Sequence, residues 1–180
     1  MNDFIAAMLM IGVNVSDAPI PEKIVLTSTK TIECLALNMY HEARDQGTAG
    51  KIAVTAVVIN RVNDKRFPNT VCEVVKQGPT RKSWKNNGTF YPIKNRCQFS
   101  WYCDGKLDVP PTGGSMWKDS QEVARYVLST PDLMDITDGA THYHADYISS
   151  PRWADPRRKT AQIDTHIFYN KARKDLTKLL

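Results

Sequence analysis

The spacing of apolar residues predicts four helices in the first two thirds of the chain. Apolar positions recur every three or four residues over 31–44, 48–63, 71–77 and 116–129, as on one face of an α-helix. The second segment is rich in β-branched residues, which would also suit a strand. Its sixteen residues exceed a typical strand, so its length favours a buried helix.

Three segments in the second half of the chain have the alternation of polar and apolar residues that predicts short strands. Segments 97–102, 140–146 and 160–169 alternate polar and apolar residues, and in 97–102 this places Gln98 and Ser100 on one face. Residues 78–96, between the third helix and the first of these segments, are predicted to form a long polar loop that contains Trp84, Phe90 and Tyr91. The rings of these residues could stack on sugars or anchor the loop to the core. Helices followed by strands predict an α+β fold, with helices beside a small antiparallel sheet.

The first helix carries the most informative residue. A turn of about 100° per residue places Ile32, Leu35, Met39 and Ala43 on one apolar face, which predicts a central buried helix. Glu42 falls at the border of that face. Partial desolvation disfavours the charged form of a carboxyl group, so Glu42 can keep its proton near neutral pH and act as a general acid.

A purely structural role for Glu42 is also compatible with the sequence. Near the end of a helix, its carboxylate could pair with Arg44 or His41. Such surface pairs are common and contribute little to stability.

Length and composition predict one catalytic domain. A chain of 180 residues, 42% hydrophobic and 24% charged, buries enough surface to fold without a metal. We expect a single domain over residues 23–180, preceded by an N-terminal arm or signal-like segment at 1–22. Residues 4–15 are apolar but too short to span a bilayer, and they suit an export signal, a short helix or a membrane-associating anchor.

The chain is basic, with a net charge of +5 and a pI near 9.0. Such a surplus favours binding to polyanions, among them teichoic acid, lipopolysaccharide, peptidoglycan carboxylates and nucleic acid. The basic residues look scattered, and no DNA- or RNA-binding motif accompanies them. We therefore predict no nucleic-acid partner.

Four cysteines allow three pairings. Cys34 lies in an apolar helix and reads as a small buried hydrophobic residue. A disulfide bond involving Cys97 or Cys103 suits an oxidising compartment. The spacing does not match a zinc ribbon.

Several longer motifs resemble the SleB/CwlJ family of cell wall hydrolases, which includes spore-cortex-lytic enzymes and occurs in bacteria and phages. The motifs are Tyr-His-Glu-Ala-Arg at 40–44, Gly-Lys-Ile-Ala-Val-Thr-Ala-Val-Val-Ile-Asn-Arg-Val at 50–62, Arg-Phe-Pro-Asn-Thr at 66–70, Cys-Gln-Phe-Ser-Trp at 97–101 and Gly-Ala-Thr-His-Tyr-His-Ala at 139–145. They stand in the family's order, and the resemblance covers residues 30–170.

This resemblance implies a lysozyme-like fold and cleavage of the glycan strand of peptidoglycan. The expected bond lies between N-acetylmuramic acid and N-acetylglucosamine, and it is cleaved by a lytic transglycosylase that forms a 1,6-anhydro product, or otherwise by a muramidase. By resemblance Glu42 is the single catalytic acid and base. The expected substrate-binding residues are Gln98, Ser100, Thr141, Tyr143 and His144.

We also expect a monomer without cofactor or metal and without a stable membrane span. It would act on peptidoglycan in the cell envelope, periplasmic or extracellular, or in the host periplasm if the protein is a phage lysin.

Two other functions fit parts of the sequence. His142 and His144, two apart on a predicted strand, could bind zinc with His41 or Glu42 in a peptidoglycan amidase or peptidase. However, there is no His-Glu-x-x-His helix. A non-catalytic wall- or polyanion-binding module that uses the basic aromatic loop is the third possibility.

Overall fold

The computed structural model describes residues 28–85, 87–110, 113–130 and 133–170. They form helices α1 (Thr29–Ala43), α2 (Thr48–Val62), α3 (Val71–Val75) and α4 (Ser115–Ser129), and strands β1 (Thr80–Lys82), β2 (Phe90–Pro92), β3 (His142–Ala145), β4 (Lys159–Ile163) and β5 (His166–Tyr169). No helix in this part of the chain is long and apolar enough to cross a bilayer. The arm expected at 1–22 lies outside the described residues.

Helix α1 is the central helix, as predicted. Ser28 caps it by accepting a hydrogen bond from the Thr31 N–H at 3.2 Å, and α2, α3 and α4 all pack against it. Leu35 and Met39 are fully buried in the core that these four helices share. Hydrophobic packing therefore holds α1 in place against the other three helices.

The sheet that packs on α2 contains β3, β5 and β4 in that order, all antiparallel. Its contact with the helix is a small apolar cluster around Phe168. The prediction of one closing strand over 160–169 is wrong, because the chain turns back at Asp164, whose φ is +49°. Asp is among the few residues that adopt this left-handed conformation readily.

The prediction of a plain loop over residues 78–96 is wrong in part. They contain the antiparallel hairpin of β1 and β2, in which Arg81 pairs with Tyr91 and Lys82 with Phe90.

The predicted strand over 97–102 is also wrong. Ser100–Cys103 is a short 3₁₀ helix, and a disulfide bond joins Cys97 to Cys103 with their Cα atoms 6.0 Å apart. An extended strand would separate those residues by about 20 Å, so the crosslink and a strand are incompatible. Phe99 and Trp101 are nevertheless buried, as the alternation predicted.

Cys34 is buried, but it is not a free hydrophobic residue. It forms a disulfide bond with Cys72, 38 positions later, which ties α1 to α3. All four cysteines are therefore paired.

Candidate active site

Glu42 lies in the last turn of α1 and faces β3. It is half-buried, and its Oε2 accepts a hydrogen bond of 2.9 Å from the Tyr143 hydroxyl. The alternative partners expected from the sequence are engaged elsewhere. The Arg44 guanidinium lies over the Tyr40 ring, and His41 Nε2 lies 3.2 Å from the Asp108 carbonyl oxygen. The alternative pairing of Glu42 with Arg44 or His41 is therefore not the one that the structure contains.

Arg61, in the last turn of α2, places a buried positive charge behind this pair. Only 4% of the residue is exposed. Its Nε donates to the Thr141 carbonyl at 2.8 Å, and its guanidinium carbon lies 5.2 Å and 5.0 Å from the ring centroids of Phe67 and Phe99. Nη1 has no hydrogen-bond partner among the described residues. Sequence reasoning missed Arg61, although an arginine within an apolar helix was a usable signal.

The surroundings move the pKa of Glu42 in opposing directions. Burial raises the pKa of its carboxyl group, while the hydrogen bond from Tyr143 and the charge of Arg61 lower it in part. Burial and the neighbouring Glu42 charge hold the pKa of Tyr143 well above its usual value. Tyr143 thus remains a neutral donor, and Glu42 can carry a proton at a higher pH than an exposed glutamate.

Glu42 faces a cavity of about 210 Å³ that is open to solvent. Its lining consists of Glu42, Arg61, Gln98, Phe99, Ser100, His142, Tyr143 and Trp153. A wider groove of about 710 Å³ shares four of these residues: Glu42, Ser100, Tyr143 and Trp153. The carboxyl group therefore lies where a narrow and a wide part of one surface depression meet.

Four of the five residues expected to bind substrate line the cavity or the groove. Gln98, Ser100 and Tyr143 line the smaller cavity beside Glu42, and His144 lines the wider groove. Thr141 lines neither of them. It is 3% exposed, and its Oγ1 lies 2.9 Å from His142 Nδ1, so its visible role is to support Arg61 and His142.

Trp153 is a further lining residue that sequence reasoning did not select. The residue is 37% exposed, and its ring centroid lies 5.5 Å from that of His142 and 5.8 Å from that of His144. An exposed indole at the edge of a groove can stack on a sugar ring. Its position in the Pro-rich segment 150–156 was the only signal in the sequence.

Both ring nitrogens of His144 already have partners within the protein, which does not favour a zinc site. Nδ1 lies 2.8 Å from the Ala145 carbonyl oxygen, and Nε2 lies 3.1 Å from the Tyr169 hydroxyl. A metal ligand needs one imidazole nitrogen directed at the metal. Within the described ranges, no group of three His, Cys, Asp or Glu side chains is placed to hold a metal ion.

Asp104 is the other carboxyl group on the wider groove. It accepts a hydrogen bond of 2.7 Å from the Lys106 N–H and lies 3.9 Å from the Lys106 ammonium. The smaller cavity has Glu42 as the one carboxyl group among its described lining residues.

Two solved structures resemble this fold. The catalytic domain of the Bacillus cereus SleB protein is 24% identical, with a TM-score of 0.55, and the match covers 79% of this chain and 91% of that one. The catalytic domain of a germination-specific lytic transglycosylase, SleB from Bacillus anthracis, is 25% identical, with a TM-score of 0.54 and coverage of 79% and 96%. These matches confirm the predicted lysozyme-like α+β fold.

Curated relatives point the same way. The spore cortex-lytic enzyme of Bacillus subtilis is 30% identical over 143 residues, which is 78% of this chain and 38% of the relative. That of Halalkalibacterium halodurans is 28% identical over 143 residues, or 79% and 36%. The chain thus spans less than half the length of these relatives.

A sequence model described as Cell Wall Hydrolase matches residues 45–169, starting just after Glu42. Because that match covers more than two thirds of the chain, the protein belongs to the cell wall hydrolase family, as its motifs predicted.

Proposed function

We propose that this protein cleaves the glycan strand of peptidoglycan as a lytic transglycosylase, with Glu42 as its single catalytic acid and base. The observation that carries the proposal is the half-buried Glu42 carboxyl, held by a neutral tyrosine at the junction of an open cavity and groove. The bond between N-acetylmuramic acid and N-acetylglucosamine would lie across this junction.

In the first step, protonated Glu42 gives its proton to the glycosidic oxygen. The bond between that oxygen and C1 of the muramic acid breaks, and positive charge develops on the sugar ring. The Glu42 carboxylate that remains accepts the Tyr143 hydrogen bond and faces the charge of Arg61, and both interactions stabilise the ionised form.

In the second step, Glu42 takes the proton of the muramic C6 hydroxyl. The O6 atom bonds to C1 and closes the 1,6-anhydro ring, so the carboxyl group is again protonated. A carboxyl group that alternates between acid and base works best when its pKa lies near the working pH. Burial raises the pKa of Glu42, whereas the Tyr143 hydrogen bond and the Arg61 charge lower it. These opposing effects serve that requirement.

The intramolecular route needs one carboxyl group, whereas a glycosidase that uses water ordinarily needs two. The smaller cavity fits the intramolecular route, because Glu42 is the one carboxyl group among its described lining residues. Gln98 and Ser100 would bind hydroxyl or acetamido groups, and Trp153 would stack on a sugar ring of the neighbouring groove.

One observation favours hydrolysis as the second candidate. Asp104 on the wider groove could activate a water molecule and make the protein a muramidase. The Lys106 N–H and ammonium hold its carboxylate in its own turn, which favours the transglycosylase route.

Mass spectrometry of digested, purified sacculi distinguishes these reactions. We expect muropeptides that end in the anhydro sugar, and no products from Glu42→Gln. Products with a reducing muramic acid that are lost in Asp104→Asn would establish hydrolysis instead. New amino groups without glycan cleavage, abolished by EDTA and restored by zinc, would establish the amidase.

We further propose that residues 23–180 act as one catalytic domain on peptidoglycan in the cell envelope, as a monomer. Cell wall hydrolase relatives include enzymes of the spore cortex, and an oxidising envelope compartment would keep both disulfide bonds formed.

A further inference from the structure

The basic residues are scattered along the sequence, but the net positive charge of the protein falls within one segment. Between Glu73 and Asp104 the sequence has six Lys or Arg residues and no Asp or Glu. Of the 24 basic residues, 18 remain for the rest of the chain, against all 19 acidic ones. The six are exposed and form no ion pair with a described acidic residue: Lys76, Arg81, Lys82, Lys85, Lys94 and Arg96.

Three of these cations lie on the β1–β2 hairpin, each beside an exposed aromatic ring. The exposed fractions are 88% for Trp84, 60% for Phe90 and 50% for Tyr91. The strand register places Arg81 opposite Tyr91 and Lys82 opposite Phe90, and Lys85 Nζ lies 5.5 Å from the Trp84 ring centroid. The hairpin therefore offers three neighbouring pairs of a cation and a ring.

These pairs are distributed over both faces of the hairpin. Successive side chains of a strand point to opposite faces, so Arg81 and Tyr91 lie on one face while Lys82 and Phe90 lie on the other. Both strands are exposed along nearly their whole length. A glycan strand lying along the hairpin would cover one face only, whereas a layer of lipid headgroups surrounds both.

The side-chain chemistry also fits a membrane surface. Tryptophan and tyrosine are enriched at the headgroup level, because their rings are part apolar and part polar. Attraction to an anionic leaflet strengthens binding by roughly fivefold for each Lys or Arg near it. The unpaired edges of a two-stranded hairpin would be costly within hydrocarbon, so the expected depth is the headgroup layer.

We propose that the β1–β2 hairpin, through its described residues 80–85 and 87–92, docks this protein on an anionic phospholipid membrane, with Trp84 leading. The docking does not depend on the reaction at Glu42. Residues 93–97 connect the end of β2 to Gln98, which lines the cavity. The docked hairpin would therefore hold the groove close to the membrane.

Co-sedimentation of the full chain with vesicles tests this proposal. We expect binding to vesicles of phosphatidylcholine and phosphatidylglycerol in equal parts, and much weaker binding to phosphatidylcholine alone. The combined variant Arg81→Gln, Lys82→Gln and Lys85→Gln should bind about a hundredfold more weakly. A charge-matched control, with Lys118→Gln, Arg125→Gln and Arg158→Gln, should lose less than about tenfold.

A second measurement begins with the unmodified protein. Brominated phosphatidylcholine, mixed with phosphatidylglycerol, should quench part of the tryptophan fluorescence of the unmodified protein. Trp84→Ser should remove that quenching, with its circular dichroism spectrum unchanged.

Three results would overturn the proposal. The first is no binding to anionic vesicles and no quenching. The second is an equal loss of vesicle binding in the hairpin variant and its charge-matched control. The third is a hairpin variant that keeps vesicle binding but loses binding to purified sacculi or to a DNA duplex, which would assign the surface to glycan or nucleic acid.

Discussion

The two sides of the groove are positioned by different means. Glu42 and Arg61 extend from α1 and α2, whose inner faces form the core. Gln98 and Ser100 are exposed residues of a seven-residue segment closed by the Cys97–Cys103 disulfide bond. Hydrophobic packing thus fixes the helical side, which is proposed to transfer protons. On the binding side, which is proposed to bind sugar, a covalent crosslink is added to the packing of Phe99 and Trp101.

The largest effect on activity should come from the helical side. Glu42→Gln removes the proton donor while keeping the shape of the side chain, and loss of general acid–base catalysis lowers rates by about 10²- to 10⁴-fold. Release of soluble muropeptides from sacculi measures this loss. Full activity in the variant would refute the catalytic role of Glu42.

The same variant should not be destabilised. Because burial raises the pKa of Glu42, the folded state binds the proton more tightly than the unfolded state. Its contribution to stability is therefore complete below pH 4.5 and is lost as the pH rises through the folded pKa. Urea unfolding can be measured at a series of pH values from below 4.5 upward. The free energy of unfolding should fall as the pH rises in the wild type, and should fall less in Glu42→Gln.

The next largest effects should come from removing each of the two disulfide bonds. Removal of one should mainly lower stability, and removal of the other should mainly lower activity. Loop-entropy estimates assign about 4 kcal/mol to Cys34–Cys72, with a separation of 38 residues, and about 2 kcal/mol to Cys97–Cys103, with a separation of six. We expect Cys34→Ser with Cys72→Ser to lose more unfolding free energy. Cys97→Ser with Cys103→Ser should lose more activity, because it releases Gln98 and Ser100.

Urea unfolding and sacculus digestion of both double variants at a temperature where each is folded measure the two quantities. Equal activity in the two double variants would show that the crosslink does not position the binding side.

Tyr143→Phe should have a smaller and more specific effect. It removes the hydrogen bond that lowers the pKa of Glu42, so Glu42 should stay protonated to higher pH and the alkaline limb of the activity profile should move upward. A hydrogen bond to a charged group is worth about 1.5–3 kcal/mol, which corresponds to a rate loss of about 10- to 100-fold. A lower rate with an unchanged pH profile would restrict Tyr143 to a packing role.

The same contrast explains how far the sequence could predict the structure. The helical side follows from local periodicity, and both the central position of α1 and the border position of Glu42 were predicted correctly. Partners distant in the chain were not predictable, because no local pattern links Glu42 to Tyr143, 101 residues later. Arg61 was missed for the same reason, since its bond to Thr141 spans 80 residues.

The binding side was harder to predict. The alternation in 97–102 correctly identified the buried residues Phe99 and Trp101, but alternation alone does not distinguish a strand from a crosslinked turn. The Cys97–Cys103 bond decided the backbone conformation. The turn at Asp164 likewise depended on one residue in a left-handed conformation within an otherwise strand-like segment.

The smallest effects should come from the exposed binding side itself. Gln98→Ala and Ser100→Ala each remove one expected neutral hydrogen bond to the glycan, worth about 0.5–1.5 kcal/mol, or roughly two- to tenfold. The loss should appear mainly in KM for soluble glycan fragments, since neither side chain transfers a proton. Gln162→Ala, an exposed glutamine on β4, is the matched control and should change nothing. If Gln98→Ala and Ser100→Ala were as silent as the control, the sugar would have to be held by the helical side and Trp153 alone.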